Sequence, residues 1–215
     1  MVISGVVALN ASGTSSITGI PGYYPEGITL SDIRLVYTSA GLPATNKDAT
    51  VPEQEKQYPS ANMFGALPAY GLYCRHVKNL VLANVQLQCD DNFVRVPLTN
   101  RRRNGQPAWQ TPATPDPSLL RDPGIALVAD DVIGLSINSL QARASTKGEP
   151  VFQFTNVRDA FIHSCRAPEK APVFLELRGA QTANIELIGD SLANAKTAIR
   201  RAPEVSRKAV RSVSF

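Results

Sequence analysis

Two acidic dyads and two histidines are the first residues in this chain that could do chemistry. Asp90-Asp91 and Asp130-Asp131 each place two carboxylates side by side, and His76 and His163 are the only imidazoles in 215 residues. A carboxyl pair does general acid and base work on a glycoside when two carboxyls with separated pKa values share one cleft. Turn chemistry explains the dyads equally well: Asp131 falls on a corner of a repeat set out below, and Asp90-Asp91 opens a proline-rich segment. Glu53 and Glu55 lie in a loop-like stretch and either line a ligand subsite or solvate the loop. Arg75 and His76 stand beside Tyr70 and Tyr73. Aromatic faces stack on sugar rings and a guanidinium forks onto a carboxylate, although an Arg-His pair at a corner is also a common structural device. The candidate substrate-binding set is therefore Tyr70, Tyr73, Arg75, His76, Glu53 and Glu55, with no catalytic residue assigned. His163 reads as an exposed strand position without a role.

No Ser-His-Asp arrangement, phosphate loop or nucleotide fingerprint is present. Cys74, Cys89 and Cys165 lack the close spacing of a zinc site. Cys165 fits an inward slot as a small hydrophobe, and a Cys74–Cys89 bridge stays open. Neither a metal nor a cofactor is expected.

The element that must position these residues is an eight-residue phrase: apolar, any, apolar, any, small or polar, apolar, any, apolar. Its clearest copy is Leu80-Val81-Leu82-Ala83-Asn84-Val85-Gln86-Leu87, and Ile28 to Leu35, Leu135 to Ala142, Ala160 to Ala167, Ile185 to Leu192 and Met1 to Ala8 repeat it. The second apolar residue of each copy is Ile3, Leu30, Leu82, Ile137, Ile162 and Leu187, in steps of 27, 52, 55, 25 and 25 residues. Short strands recurring at a fixed period of 20–50 residues are the mark of a solenoid. The small slot holds Gly5, Asp32, Asn84, Ser139, Ser164 and Gly189, all suited to a tight bend. Six residues before the later anchors, Tyr24, His76, Asp131, Asn156 and Gln181 mark an outer corner. The fold class predicted is all-β: a right-handed single-stranded parallel β-helix, a pectin-lyase-like solenoid of about six coils. A β-sandwich is the competing architecture, because its turns recur every 8–12 residues.

The pattern divides the chain into a β-helix domain over residues 1–192, with insertions at 38–72 and 88–123, and a basic segment over 193–215 read as a helix or loose tail. The first insertion carries Tyr58, Met63, Phe64, Leu67 and Tyr70 and is expected to pack on the flank of the coils. The second carries six prolines and little apolar content, and is expected to be the more mobile. Net charge is +4, and Arg101-Arg102-Arg103 with the last 16 residues holds eight of the 22 basic side chains. Around Trp109 and the tail residues Arg200, Arg201, Arg207, Lys208 and Arg211, aromatics are too sparse for a nucleic-acid stacking platform. Nucleic acid is therefore not an expected partner. Nor is a membrane, since no apolar run reaches the roughly 20 residues of a spanning helix. The N-terminus shows no signal-peptide pattern. Met1 falls inside a copy of the phrase, so the chain reads as the C-terminal part of a longer protein.

Several stretches resemble bacterial members of glycoside hydrolase family 28, the polygalacturonase-like pectin hydrolases. They are Ile17-Thr18-Gly19-Ile20-Pro21-Gly22, Glu26-Gly27-Ile28-Thr29-Leu30-Ser31-Asp32-Ile33-Arg34, Pro52-Glu53-Gln54-Glu55, Met63-Phe64-Gly65 through Tyr73-Cys74-Arg75-His76-Val77-Lys78, and Leu127-Val128-Ala129-Asp130-Asp131-Val132. The resemblance covers roughly residues 1–145. It implies a right-handed parallel β-helix, a pectin or related uronate-containing glycan as partner, and a secreted or periplasmic parent protein. It also implies inverting hydrolysis by paired Asp residues set far enough apart to admit a water. The family's Asn-x-Asp, Asp-Asp, Gly-His-Gly and Arg-x-Lys motifs do not stand here in their context. Two readings follow. The chain is the C-terminal part of a polygalacturonase-like hydrolase, inactive alone and completed by N-terminal coils of the same protein. Alternatively, it is a non-catalytic β-helix module that binds polysaccharide or serves a structural role.

Overall fold

The computed structural model describes residues 1–38, 50–57, 60, 63–90 and 122–213. The chain is all-β, with no α-helix among the described residues. In order the strands are β1 (Val2–Ala11), β2 (Ser15–Thr18), β3 (Glu26–Thr38), β4 (Ala69–Asp90), β5 (Ile125–Asn138), β6 (Gln141–Ala142), β7 (Pro150–Thr155), β8 (Arg158–His163), β9 (Ala171–Arg178), β10 (Ala183–Ile188), β11 (Ala195–Arg201) and β12 (Val210–Val213). They form one long sheet whose ladders between strands are all parallel.

Register carries the repeat into space. Ile3 pairs Leu30, Leu30 pairs Leu82, Leu82 pairs Ile137, Ile137 pairs Ile162 and Ile162 pairs Leu187, so the six anchors stack as one column. Long strands bend rather than break. β5 lies against β7 through Leu127–Asp130 and against β8 through Ile133–Asn138, so one strand serves two ladders. The bends sit in the small slot: Gly5, Asp32, Asn84, Ser139, Ser164 and Gly189 all have positive φ. Glycine takes that conformation freely, and Asn, Asp and Ser tolerate it better than branched residues do. Side chains of alternate strand positions meet in a core built around Leu30, Leu82, Leu127, Ile137, Phe154, Phe174 and Leu187. Each fully buried Leu or Phe contributes about 1.5–3 kcal/mol over its exposed state.

Residues 193–215, expected as a helix or loose tail, continue the sheet instead. β11 pairs β9, and β12 pairs β10 in register Ile185↔Val210 through Ile188↔Val213. A single 3-10 turn at Arg207–Ala209 joins them, capped by Ser206. Cationic side chains at the outward strand positions masked an ordinary alternation. The first insertion packs as expected where it is described: Val51, Leu67 and Phe64 close over Ala69, Tyr73, Ile125 and Val128 in a satellite cluster outside the main core. Tyr58 and the expected mobility of the second insertion, with Asp91, Arg101-Arg102-Arg103 and Trp109, lie outside the described residues. Cys74, Cys89 and Cys165 are free thiols, so no Cys74–Cys89 bridge forms. Burial pushes the Cys74 and Cys165 thiols up to about 12, which leaves both inert.

Candidate functional site

His76 is the centre of a chain of ionisable groups drawn from four stretches of sequence. It sits at the end of the first straight run of β4 with φ of 51°, at the corner where the strand turns. Its Nδ1 lies 2.7 Å from Asp131 Oδ2 on β5, one rung away, and its Nε2 lies 3.0 Å from Glu53 Oε2 on the covering loop. Both ring nitrogens thus face carboxylate oxygens, and only a doubly protonated ring donates to both at once. The Tyr24 hydroxyl donates to the same Asp131 oxygen, and its ring meets His76 edge-on at 5.7 Å and 84°. Lys78 Nζ stands 5.0 Å above the Tyr24 ring, and Arg158 Nη2 lies 4.0 Å from the other Asp131 oxygen. The approach is close enough to require glycine nearby. Gly19 donates its N–H to the Arg75 carbonyl, and a Cβ there would sit 2.5 Å from the carbonyl oxygen of His76.

Arg75 points to the other side of the same loop. Its Nη1 donates to the carbonyl of Val51 at 2.8 Å and of Pro52 at 3.4 Å, its Nη2 donates to Glu53, and its Nε stands 3.7 Å from Asp130 Oδ2. Glu53 is therefore shared, one oxygen with Arg75 and the other with His76. The guanidinium is only 7% exposed. Burial lowers its pKa, opposed by the charges of Asp130 and Asp131. The adjacent carboxyls split in opposite directions. For Asp130 burial dominates and raises the carboxyl, against the charges of Arg75 and His76. For Asp131 burial also raises, but hydrogen bonds from Tyr24 and His76, with the charges of His76 and Arg158, outweigh it and hold the carboxyl below its usual value.

The loop and the strands enclose a groove of about 400 Å³. Thr50, Val51 and Pro68 make one wall, and Arg75, Asp130, Gln153, Thr155 and Arg178 line the floor. The floor is a ladder. Arg75 pairs Asp130, Asp130 pairs Thr155 and Thr155 pairs Arg178, while Val128, Gln153 and Glu176 form the column beside it. Neighbouring rungs lie about 4.8 Å apart, so polar groups recur at that interval along the groove. Glu176 is held by Arg178 Nη2 at 2.9 Å and Arg200 Nε at 2.8 Å. Gln153 is 6% exposed, and its carbonyl oxygen has no hydrogen-bond partner among the described residues. An unmet buried acceptor costs about 1–3 kcal/mol, so a hydroxyl or amine donor entering the groove gains that energy. A larger cavity of about 700 Å³, between Leu87–Cys89, Gln141–Thr146 and Pro168–Pro172, lies beside other strands and gathers no comparable chain of ionisable groups.

Of the expected binding residues, Arg75, His76 and Glu53 come together. Glu55 is exposed on the loop, apart from them. The two tyrosines need correction. Tyr70 is fully buried in the main core, edge-on to Tyr37 at 5.4 Å, with its hydroxyl donating to the Leu87 carbonyl and accepting from the Arg143 N–H. Tyr73 is 1% exposed beneath Val51 and Leu67. Neither ring has a face free for a sugar. Tyr24, Asp130, Gln153, Arg158 and Arg178 were not singled out as binding residues, although Tyr24 and Asp131 occupy the corner slot the repeat had marked. Gln153 and Arg178 stand 25 residues apart and the period relates their rungs, which is the signal that points to them. Among the described residues no group of His, Cys, Asp and Glu is placed to hold a metal ion. No protein-family model, no curated protein and no solved structure matches this chain.

Proposed function

We propose that this chain is the non-catalytic portion of a polygalacturonase-like glycoside hydrolase, a right-handed parallel β-helix that binds pectin-type polysaccharide along the Arg75–Asp130–Thr155–Arg178 ladder. One observation carries the reading. The groove repeats hydrogen-bonding groups rung by rung beside a buried, unpaired Gln153 carbonyl, which suits a polymer of hydroxylated units better than a compact ligand. Arg178 supplies positive charge for a uronate carboxylate, and Gln153 accepts from a hydroxyl. The parallel register and the stacked anchors support the helical closure. The four motifs of the resembling family have no counterpart in these residues, so the chain is expected to release no reducing ends by itself. The parent protein acts outside the cytoplasm in this reading.

Calorimetric titration with oligogalacturonides tests it. Wild-type protein is expected to bind, and Gln153→Leu and Arg178→Ala each to weaken binding about tenfold, the equivalent of about 1.4 kcal/mol. No heat of binding to any oligogalacturonide, or reducing-end release by the isolated chain, overturns the reading.

A further inference from the structure

The N-terminal strand differs from every other strand in having no ionisable side chain near it. Residues 1–25 contain no Asp, Glu, Lys, Arg or His. β1 is paired on one side only: its register with β3 runs from Val2↔Thr29 to Leu9↔Val36, and the Met1 amino group and carbonyl extend that pairing to Gly27 and Thr29. No described strand lies along its other side. Among the described residues eight large hydrophobic side chains are exposed, and six of them are Met1, Val2, Ile3, Val6, Val7 and Leu9. Exposed sheet edges ordinarily carry lysine, proline or a bulge against unwanted pairing. This edge has none of these over its first eight residues.

The outward positions are as unusual as the inward ones. In register, Val2 stands where β3 has Thr29 and β4 has Val81, and Val7 stands where β3 has Arg34 and β4 has Gln86. Val2 and Val7 are 71% and 64% exposed. A strand apolar on both faces belongs inside an assembly. Its pattern is also close to palindromic about the bend at Gly5: Met1, Val2, Ile3 and Ser4 are answered in reverse by Ala8, Val7, Val6 and Gly5.

We infer that β1 is the interface of a two-fold symmetric dimer, in which two copies of this chain pair their β1 edges antiparallel with Val2 opposite Val7 of the second copy. In that register Ile3 and Val6 face each other in line with the core, Val2 and Val7 face each other outside it, and the small residues Ser4 and Gly5 meet at the corner. An antiparallel pair sets directly opposed side chains on the same face, so inward residues meet inward ones only when the two positions sum to an odd number. The palindrome satisfies that condition, and a two-fold axis reproduces each contact twice. The far end of the sheet does not offer a competing partner. β11 and β12 carry Lys196, Arg200, Arg201 and Arg211, whose burial against an uncharged strand would strand their charges. The inference is independent of the glycan reading.

The test is the oligomeric state of the full chain by sedimentation and light scattering. The expected result is a closed dimer at about micromolar concentration. Val7→Lys is on the outer face and leaves the core intact. It is expected to weaken the dimer at least about tenfold while the circular dichroism and melting temperature of the monomer stay unchanged. Adding Val2→Glu to Val7→Lys places opposite charges across the proposed register twice, and the dimer is expected to return; Val2→Lys with Val7→Lys is expected to stay monomeric. A monomer at about 100 μM, open-ended filaments, a Val7→Lys variant that dimerises normally, or failure of the Glu–Lys combination each overturns the inference.

Discussion

The corner slot of this sheet is occupied by His76 and Asp131 in two adjacent rungs and by Asn156 in the next, and all three residues adopt nearly the same φ, 51°, 50° and 54°. Their surroundings differ completely. His76 and Asp131 bond to each other and are tied to Glu53, Tyr24 and Arg158. Asn156 does local work: its side-chain oxygen accepts the Gln181 N–H at 3.3 Å, and its own N–H donates to the Arg178 carbonyl at 3.1 Å. The turn therefore needs a residue that tolerates positive φ and nothing more. Charge at the first two corners serves a different purpose, which is to hold the loop carrying Val51 and Glu53 over the groove.

Removing the anchor of that loop should separate the two corners most sharply. Arg75→Ala leaves Glu53, Asp130 and the Val51 carbonyl without their shared cation in a site where the guanidinium is almost wholly buried. Breaking a buried pair from one side costs about 3–5 kcal/mol. Denaturant unfolding of the variant should show a loss of that size, with hydrogen exchange accelerated first at residues 50–57. Equal acceleration around Asn156 would mean that the corners are not independent.

A smaller effect is expected from converting the charged corner into the uncharged one. His76→Asn keeps the backbone conformation but removes both hydrogen bonds to carboxylates, for a loss of about 1–2 kcal/mol at neutral pH. The pH dependence sharpens it. Asp131 has a folded pKa below its unfolded value of about 3.9. Its contribution is complete above the unfolded value and disappears as pH falls through the folded one. His76 supplies part of the depression, so the variant should lose less stability than wild type on acidification below about pH 4. An unchanged acid limb in chemical denaturation across that window would place the source of the depression in Tyr24 and Arg158 alone.

How much of this was legible in the sequence follows from how far apart its partners lie. The bend at Asn84 and its five counterparts follows from eight consecutive residues, and every one of those slots adopts the expected turn geometry. His76 and Asp131 shared a slot in the repeat, so their being one rung apart was implied. Their bond to Glu53 was not, because the loop returns from an insertion that obeys no period. Tyr70 and Tyr73 were misread for a simpler reason. In a strand, residues three apart point to opposite faces, so the two rings never line one surface: Tyr70 joins the main core and Tyr73 the satellite cluster. Gln153 carried no motif, and its importance lies in a missing hydrogen bond that only packing defines.

The smallest effect should come from the uncharged corner. Asn156→Gly preserves the left-handed conformation, since glycine takes it without strain. What it removes is the side-chain acceptor for the Gln181 N–H, which is partly replaced by water at this exposed turn. The oxygen also lies over Gly179, where any Cβ would collide with it, so its loss relaxes a crowded contact as well. The two changes oppose each other, and the net should stay below about 1 kcal/mol in thermal or denaturant unfolding. Asp131→Gly, the same change one rung earlier, removes the common partner of Tyr24, His76 and Arg158 and should cost several times more. If the two glycine variants lose the same stability, the ionic chain contributes nothing beyond the turn, and the loop over the groove is held by apolar contacts of Val51 and Leu67 alone.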